Sequence, residues 1–467
     1  MQNVEVQVLS VAPMLIYAVI SQALESIIAL AIYVAIIVAV LVGIGVFGTR
    51  QDWHTATHRR FKVAVLWVSL AVVAGVTFVF AAWPSGDYQE FVVVWLRAYA
   101  GVDWVTAVRQ ITTVSNYTPL YNYFLIAVAQ ILPADCWLYA VKLLSFAFSI
   151  LLAFAMEKLI AHVRQERFAA WRFALFLVLP PLLLEYAWWG QCDAIYLAFC
   201  LLAFWCALTH RSKTCMVLIG LAFANKLQFL FIVPILFVML IIKDADGKAY
   251  LRWRDLWLAP LPYLLNLLPV LCGASLVDLL LVYCKQGTYY ELLSKGCPNF
   301  LYFLALQDQV MPADVVQLLG WLFTGLTVVL VAILLVVIYW RHRRQPLTAL
   351  DLIFYALVIA FSMVFLMPKM HERFLLLPLC LMVINASIQK NTTATILAVA
   401  EVVILSAVML TWLFVDFNSP GNVISDPWLV ALFVVVPLLG AITNCVVAIV
   451  LGEQFVTRGR TYKVTNS

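Results

Sequence analysis

The sequence predicts an all-α protein that crosses a membrane many times. Of its 467 residues, 65% are hydrophobic and 11% are charged, and the mean hydropathy is +1.00. Apolar runs of about 20 residues, the length of a membrane-spanning helix, recur along the chain. A membrane β-barrel would instead show alternating segments of about ten residues, and the sequence lacks them.

Thirteen apolar segments are predicted to span the membrane. A further apolar run, 118–132, is only about 15 residues long and is bounded by prolines, so we expect it to form an interfacial or re-entrant helix. The thirteen segments are 27–48, 61–83, 137–159, 172–187, 192–209, 214–226, 227–242, 256–272, 317–340, 350–367, 374–388, 395–415 and 428–450.

The loops between these segments fall into two sets by charge. One set holds 21 of the 29 Lys and Arg residues and is predicted to be cytoplasmic, because positively charged loops stay on that side. The other set carries most of the acidic residues and the turn-forming Gly, Asn and Pro residues, so the polar loops and the N-terminus are expected outside. The net charge of +5 follows from this asymmetry, and we expect no nucleic-acid partner.

The first outer loop, 84–136, carries the first candidate carboxylates. In "WPSGDYQEF", Asp87 and Glu90 follow the end of a predicted helix, and two interpretations are open. They have the spacing of a helix capping box, or a carboxylate at the water boundary accepts a proton from a hydroxyl. Asn116 and Tyr117 then open the 118–132 segment and are candidate contacts for a polar substrate.

Two later turns carry charges of opposite sign. Gln191 and Asp193 lie among aromatic residues in "YAWWGQCDAIY", where a carboxylate needs a partner or water. Lys226, in "FANKLQFLF", either pairs with an acid or extends its ammonium to the interface. Trp188 and Trp189 are expected in the aromatic belt of the membrane surface.

The run "FLMPKMHERFLLLPLCLMV" places ionisable residues beside a predicted span. Each would cost about 2.5 to 3.5 kcal/mol at mid-bilayer, so we expect them at the outer end of a helix that begins near Pro368. Lys369 and Arg373, four positions apart, would share one face of that helix, and its free N–H groups would favour an anion. This predicts a phosphate site in which His371 donates a hydrogen bond and Glu372 orients Arg373. The alternative is a ring of charges around a helix end.

In this order, the segments "SGDYQEF", "SNYTPLYNYFL", "WWGQCDAIY", "FANKLQFLFIVP", "CPNFLYFL" and "PKMHERF" resemble the polytopic GT-C glycosyltransferases. Within them, the resemblance is to bacterial mannosyltransferase-like proteins related to the GPI mannosyltransferase II family. The tripeptide "HER" is also similar to the His-Glu-Lys of dolichyl-phosphate-glucose glucosyltransferases, with Arg in place of Lys. Each segment is a weak signal, and the ordered set is specific.

The resemblance implies the GT-C fold and an inverting glycosyltransferase that uses Asp87 as general base and a polyprenyl-phosphate sugar as donor. The candidates for binding the donor phosphate are Lys369, Arg373, His371 and Lys226. The candidates for binding the sugar or the acceptor are Glu90, Asn116, Tyr117, Gln191, Asp193 and Glu372. We expect no cofactor and no metal, because cationic side chains can stabilise the leaving phosphate. A metal held by Asp87 with Glu90 or Asp193 is the open alternative.

The resemblance also divides the chain and places it in the cell. It implies an extra outer segment, helix and cytoplasmic loop in 1–60, the conserved GT-C transmembrane module in 61–272, and an outer loop with variable C-terminal helices in 273–467. The expected location is the bacterial plasma membrane, with the site facing outward and the protein a monomer. The expected partners are the donor, which we expect to carry a mannose-like hexose, a glycan or lipid-linked acceptor, and membrane lipid.

Two other functional classes are open. A transporter or flippase of lipid-linked glycans would line its path with intramembrane charges, but the sequence shows no inverted repeat and its polar residues gather on one side. A membrane-embedded acyl or phosphoethanolamine transferase would need a reactive Ser, Thr or His with a base. Only His371 among the histidines is predicted to lie on the outer side.

Overall fold

The computed structural model describes residues 27–49, 59–288, 292–306, 311–418 and 427–464, and these are mostly helical. The predicted outer segment before residue 27 and the loop 50–58 lie outside the described residues. Within the described ranges, nine helices are long and apolar enough to cross a membrane, and a pair of helices that meet at 61° can form a tenth crossing. The prediction of an all-α, multi-pass membrane protein is therefore confirmed.

The α-helices, numbered in chain order, are α1 (Ile27–Thr49), α2 (Arg59–Phe80), α3 (Val93–Ala100), α4 (Trp104–Arg109), α5 (Ile111–Val114), α6 (Pro119–Ile131), α7 (Trp137–Val163), α8 (Ala170–Leu177), α9 (Pro180–Leu184), α10 (Asp193–Leu208), α11 (Ser212–Asn225), α12 (Val233–Ile241), α13 (Leu276–Leu280), α14 (Val282–Thr288), α15 (Tyr302–Ala305), α16 (Ala313–His342), α17 (Ala349–Leu366), α18 (Leu376–Gln389), α19 (Thr392–Asn418) and α20 (Pro427–Val464). Turns of 3₁₀-helix cover Ala134–Cys136, Leu227–Phe231, Trp253–Leu258, Leu261–Cys272 and Glu372–Leu375, and π-helical turns cover Tyr88–Val92 and Glu185–Trp189.

Three of the thirteen predicted crossings are short helices in the structure. α10, α11 and α12 have 16, 14 and 9 residues, so the longest of them covers about 24 Å of a hydrocarbon core that is about 30 Å thick. α10 is buried over most of its length and packs against α7 and α11. A helix enclosed by protein need not match the bilayer, so hydropathy cannot fix the number of crossings, and thirteen remains a prediction.

The predicted outer loop 84–136 folds into a helical layer with its own hydrophobic core. α3, α4 and α6 pack together around buried side chains such as Trp95, Leu96 and Leu125. α6, formed by the 118–132 run, has 13 residues and is too short to cross a bilayer. Asn266, fully buried, accepts from the Leu120 N–H and donates to a carbonyl of α11, which fixes this layer on the bundle.

The main core lies where α7, α10, α17, α18 and α19 meet. α17 and α18 are among its most buried helices, with large aromatic side chains such as Tyr355 and Phe361 enclosed on all sides. Buried Lys142 of α7 donates to the carbonyls of Phe80 and Trp83 at 2.5 and 2.8 Å, which supplies partners for the end of α2. The chain therefore leaves α2 in a fixed direction.

Two short strands join distant loops at the same end of the bundle. β1 (Ser294–Lys295) and β2 (Met370–His371) pair in parallel. Gly296 follows β1 with a φ of +70°, and a Cβ atom there would collide with the ring of Trp412. Both the positive φ and the close approach require glycine. This pairing holds the loop after α14 against the turn between α17 and α18.

Candidate active site

Asp87 lies in the helical turn that follows α2, but it does not cap that turn. Ser85 does so, because its Oγ accepts from the Tyr88 N–H at 3.3 Å and donates to the Trp189 carbonyl at 2.8 Å. Asp87 itself has helical dihedral angles and no capping hydrogen bond. The capping-box interpretation of Asp87 and Glu90 is therefore wrong, since the residue two positions earlier already satisfies the helix start.

The two oxygens of the Asp87 carboxylate have different surroundings. Oδ2 accepts from Trp189 Nε1 at 2.9 Å and from Gln191 Nε2 at 2.5 Å, and it lies 3.2 Å from Nη2 of Arg373. Oδ1 accepts no hydrogen bond from any described residue, and 26% of the side chain is exposed. One oxygen is thus anchored while the other can accept a proton from a bound molecule.

The π-helical turn Glu185–Trp189 and the glycine after it position the Trp189 and Gln191 donors. Gly190 has a φ of +68°, and its N–H and that of Gln191 both donate to the Glu185 carbonyl. This sharp end to the helix brings the Trp189 indole and the Gln191 amide to the same carboxylate oxygen. Trp188 and Trp189 are 5% and 4% exposed, so the prediction that they belong to the aromatic belt is wrong.

A buried chain of alternating charges extends from Asp87 into the bundle. Arg373 Nη1 lies 3.4 Å from Asp193 Oδ2, and Lys226 Nζ lies 2.5 Å from Asp193 Oδ1. The guanidinium of Arg373 also stacks over the Trp189 ring, 4.7 Å from its centre. Lys226 is 5% exposed, so it pairs with an acid and does not extend to the interface.

The predicted arrangement of Lys369 and Arg373 on one helix face is wrong. Lys369 precedes β2 with a φ of +62°, and its N–H donates to the Leu293 carbonyl in the opposite loop. The helix begins only at Glu372, not near Pro368, because residues 370–371 pair with β1. Arg373 therefore lies in the first helical turn, whereas Lys369 lies in the loop before it and is half-buried.

Glu372 and His371 flank Arg373. Glu372 Oε1 lies 3.4 Å from Arg373 Nε, so Glu372 is placed to orient the guanidinium, although this Nε–H makes no well-aligned hydrogen bond. The pKa of the His371 imidazole lies well below its usual range, because the ring is buried and the charges of Arg373 and Lys295 oppose protonation. His371 is neutral near pH 7 and can serve there as a hydrogen-bond donor, but not as a cation.

This burial predicts acid sensitivity. The unfolded chain binds a proton at His371 with an ordinary pKa near 6.5, and the folded chain does not, so the free energy of unfolding should fall as the pH drops below about 6.5. The expected slope is up to about 1.4 kcal/mol per pH unit. Thermal unfolding in detergent between about pH 5 and pH 7.5 measures it, and His371→Gln should flatten the slope. An unchanged slope in the variant would contradict this assignment.

Lys295, in β1, is a site residue that the sequence reasoning missed. Burial lowers the pKa of its ammonium, and the nearby carboxylates of Asp87, Glu372 and Glu90 oppose that shift. Glu90 is exposed at the rim, in the π-helical turn after Asp87. The sequence signal for Lys295 was its place two residues before "CPNFLYFL", one of the segments that resemble the GT-C glycosyltransferases.

Tyr117 joins the site, while the side chain of Asn116 makes no contact with the described residues that assigns it a role. The Lys226 ammonium lies 5.3 Å from the centre of the Tyr117 ring, and the Tyr117 hydroxyl donates to Gln191 Oε1 at 3.4 Å. Thr118 fixes this position by donating to the Asn225 carbonyl. Asn116 accepts from Gln286 Nε2 through its backbone carbonyl, which makes it part of the loop framework.

Glu185 is a second residue that the sequence reasoning missed. It is 1% exposed and lies near enough to Asp193, Arg373 and Lys226 for their charges to interact. Its sequence position inside an apolar run, "PPLLLEYAWW", is the available signal, because a carboxylate there needs a partner.

Among the described residues, no three His, Cys, Asp or Glu side chains are grouped so that they could hold a metal ion. Asp87 and Asp193 both contact Arg373, which occupies the place between them. Comparisons of the chain with protein-family models, with curated proteins and with solved structures return no match.

Proposed function

We propose that this protein is an integral-membrane glycosyltransferase of the GT-C type. It would move one sugar, with a mannose-like hexose favoured, from a polyprenyl-phosphate donor to a lipid-linked or cell-surface glycan. The observation that carries the proposal is the Asp87 carboxylate, which is anchored at Oδ2 and open at Oδ1, beside buried Arg373. A base next to a fixed cation fits a reaction that removes a proton at one point and releases a phosphate at another.

The reaction balances with these groups alone. The acceptor hydroxyl oxygen attacks the anomeric carbon of the donor sugar and forms the new glycosidic bond, while its proton passes to Asp87 Oδ1. The bond from the anomeric carbon to the phosphate oxygen breaks, and the phosphate leaves with the electron pair as polyprenyl phosphate. In-line attack from the opposite face inverts the anomeric centre.

The cations would stabilise the charge that develops on the leaving phosphate. Arg373 has a buried Nε–H without a well-aligned hydrogen bond, and Lys295 is half-buried beside Asp87. Lys226 is bound closely to Asp193, so it would act mainly by holding that carboxylate and, through it, Arg373. Because these side chains can neutralise a monophosphate, the mechanism that we propose needs no metal.

The sugar and the acceptor would contact the polar groups around Asp87. Gln191 and Tyr117 lie on the inner side of this carboxylate, and Glu90 lies at its exposed rim. Lys369, in the loop before β2, would serve the outer edge of the donor site. The position of the whole cluster beside the loops 84–87, 190–193, 294–296 and 368–373 favours a site at one end of the bundle, as an enzyme working at a membrane surface requires. A transporter path would instead extend through the midplane.

Reconstitution tests the proposal. Protein in liposomes, supplied with a panel of polyprenyl-phosphate sugars and a lipid-linked glycan acceptor, should transfer a sugar from at least one donor and release polyprenyl phosphate. The activity should persist when EDTA is present. Movement of a fluorescent lipid-linked glycan between leaflets without any transfer would favour a flippase and would overturn the proposed reaction.

A further inference from the structure

An apolar groove lies far from the candidate active site. Its volume is about 950 Å³, and it is lined by α1, α7 and the residues around the start of α8, including Gly43, Phe47, Phe148, Phe154 and Phe173. Among the described residues that line it, Lys158 is the one with a charge. A groove of this size that is lined by membrane-spanning helices suits a hydrocarbon chain.

The position of the groove along α7 separates it from Asp87. Lys142 of α7 binds the carbonyl of Trp83, which follows α2 and precedes Asp87. Lys158 lies about 24 Å further along the same helix. From Lys158 the groove extends back to Ala147, which is about 16 Å, or half of the hydrocarbon core. The groove therefore lies at the end of the bundle predicted to face the cytoplasm, and its length matches one leaflet.

The ammonium of Lys158 lacks a counter-ion in the part of the chain that the structure describes. It lies 5.2, 5.7 and 5.8 Å from the ring centres of Phe154, Phe168 and Trp205. The neighbouring Arg172 differs, because Glu157 and Glu166 both pair with it at 2.8 Å. Aromatic rings hold the Lys158 ammonium in place and leave its charge to a ligand.

We propose that this groove binds one phospholipid with a net negative headgroup. An acyl chain would lie along α1 and α7, and Lys158 would neutralise the net negative charge of the headgroup, which the choline ammonium already neutralises in a zwitterionic lipid. Cationic side chains at the cytoplasmic ends of spanning helices bind anionic headgroups in this way. The site stands apart from the proposed glycosyl transfer, and neither depends on the other.

Glycine substitutions can fill the groove with a matched control. A Cβ atom at Gly43, which lines the groove, or at Gly75 of α2, which does not, meets no other atom within 4 Å. Leucine should therefore be accommodated at both positions, but only Gly43→Leu occupies the space of the acyl chain. For the charge, Lys158→Gln is matched by Lys213→Gln, which changes an exposed lysine at the start of α11.

The measurement is the affinity of the purified full chain, in a neutral detergent, for fluorescent phosphatidylglycerol and for fluorescent phosphatidylcholine. Gly43→Leu should weaken binding of phosphatidylglycerol by about tenfold or more relative to Gly75→Leu. Lys158→Gln should weaken phosphatidylglycerol by about fivefold relative to Lys213→Gln and leave phosphatidylcholine unchanged. Size-exclusion profiles and melting temperatures check that each variant is folded.

Each result decides the proposal. Equal phosphatidylglycerol affinity in Gly43→Leu and Gly75→Leu would show that the groove is not the lipid site. Equal affinity in Lys158→Gln and Lys213→Gln, or equal losses for both lipids in Lys158→Gln, would remove the headgroup assignment.

Discussion

Replacement of Asp87 by Asn should reduce sugar transfer by about 10²- to 10⁴-fold while donor binding is retained. An amide oxygen at the Oδ2 position can still accept from Trp189 and Gln191, so the loop keeps its contacts. The amide cannot take a proton from the acceptor hydroxyl. The loss should therefore appear in the turnover rate, measured with radiolabelled donor in liposomes, and not in the donor dissociation constant.

Asp103→Asn is the matched control. Asp103 lies in the same outer helical layer and caps α4 by accepting from the N–H groups of Val105 and Thr106, and its hydrogen bonds stay within that helix. This variant should lose some stability and keep its transfer activity. Full activity in Asp87→Asn would show that Asp87 is not the base, and a large loss in Asp103→Asn would show that the effect is structural.

Replacement of Arg373 by Lys should lower transfer by about 10²- to 10³-fold and weaken donor binding as well. The guanidinium reaches Asp87 and Asp193 with different nitrogens and stacks on Trp189, and a single ammonium cannot make all three contacts. Arg373→Ala would also leave two carboxylates with one partner fewer, at a cost of about 3–5 kcal/mol of stability. The lysine variant keeps the charge, so it is the better test.

Arg172→Lys controls for the loss of a buried arginine. Arg172 binds two carboxylates, Glu157 and Glu166, near the C-terminal end of α7. The Arg172→Lys variant should have a melting temperature lowered about as much as that of Arg373→Lys, and its sugar transfer should be intact. If both variants lose activity in proportion to their melting temperatures, Arg373 has no special role in the reaction. A steady-state titration of donor in both variants makes the comparison.

The sequence could predict the residues of the site better than their arrangement. Asp87, Gln191, Asp193, Lys226 and Arg373 lie in turns that follow or precede apolar runs, and charge patterning places all of those turns on one side. The structure brings these residues into one chain of contacts. The pairing of these charges could be predicted, because an unpaired charge in a membrane is costly and each buried charge therefore needs a partner of opposite sign.

The arrangement of the site residues depends on features that cannot be predicted from a single sequence. The pairing of β1 with β2 moves the start of the helix to Glu372, and it joins residues more than seventy positions apart by backbone hydrogen bonds that carry no side-chain signal. Ser85 caps its turn in competition with Asp87, two residues away, and only the geometry decides between them. The lengths of α10, α11 and α12 likewise reflect enclosure by protein and not hydropathy.

The order of synthesis has a consequence for the ion pair between Asp193 and Arg373. These residues are 180 positions apart in the chain. At a synthesis rate of about 5–20 residues per second, Asp193 emerges from the ribosome roughly 10 to 40 seconds before its arginine. Lys226 can pair with Asp193 during that interval, but Asp87 has no guanidinium beside it until α17 has been inserted. A chain that is released before that point holds Asp87 without Arg373, so the charge cluster can form only after Arg373 has been synthesised.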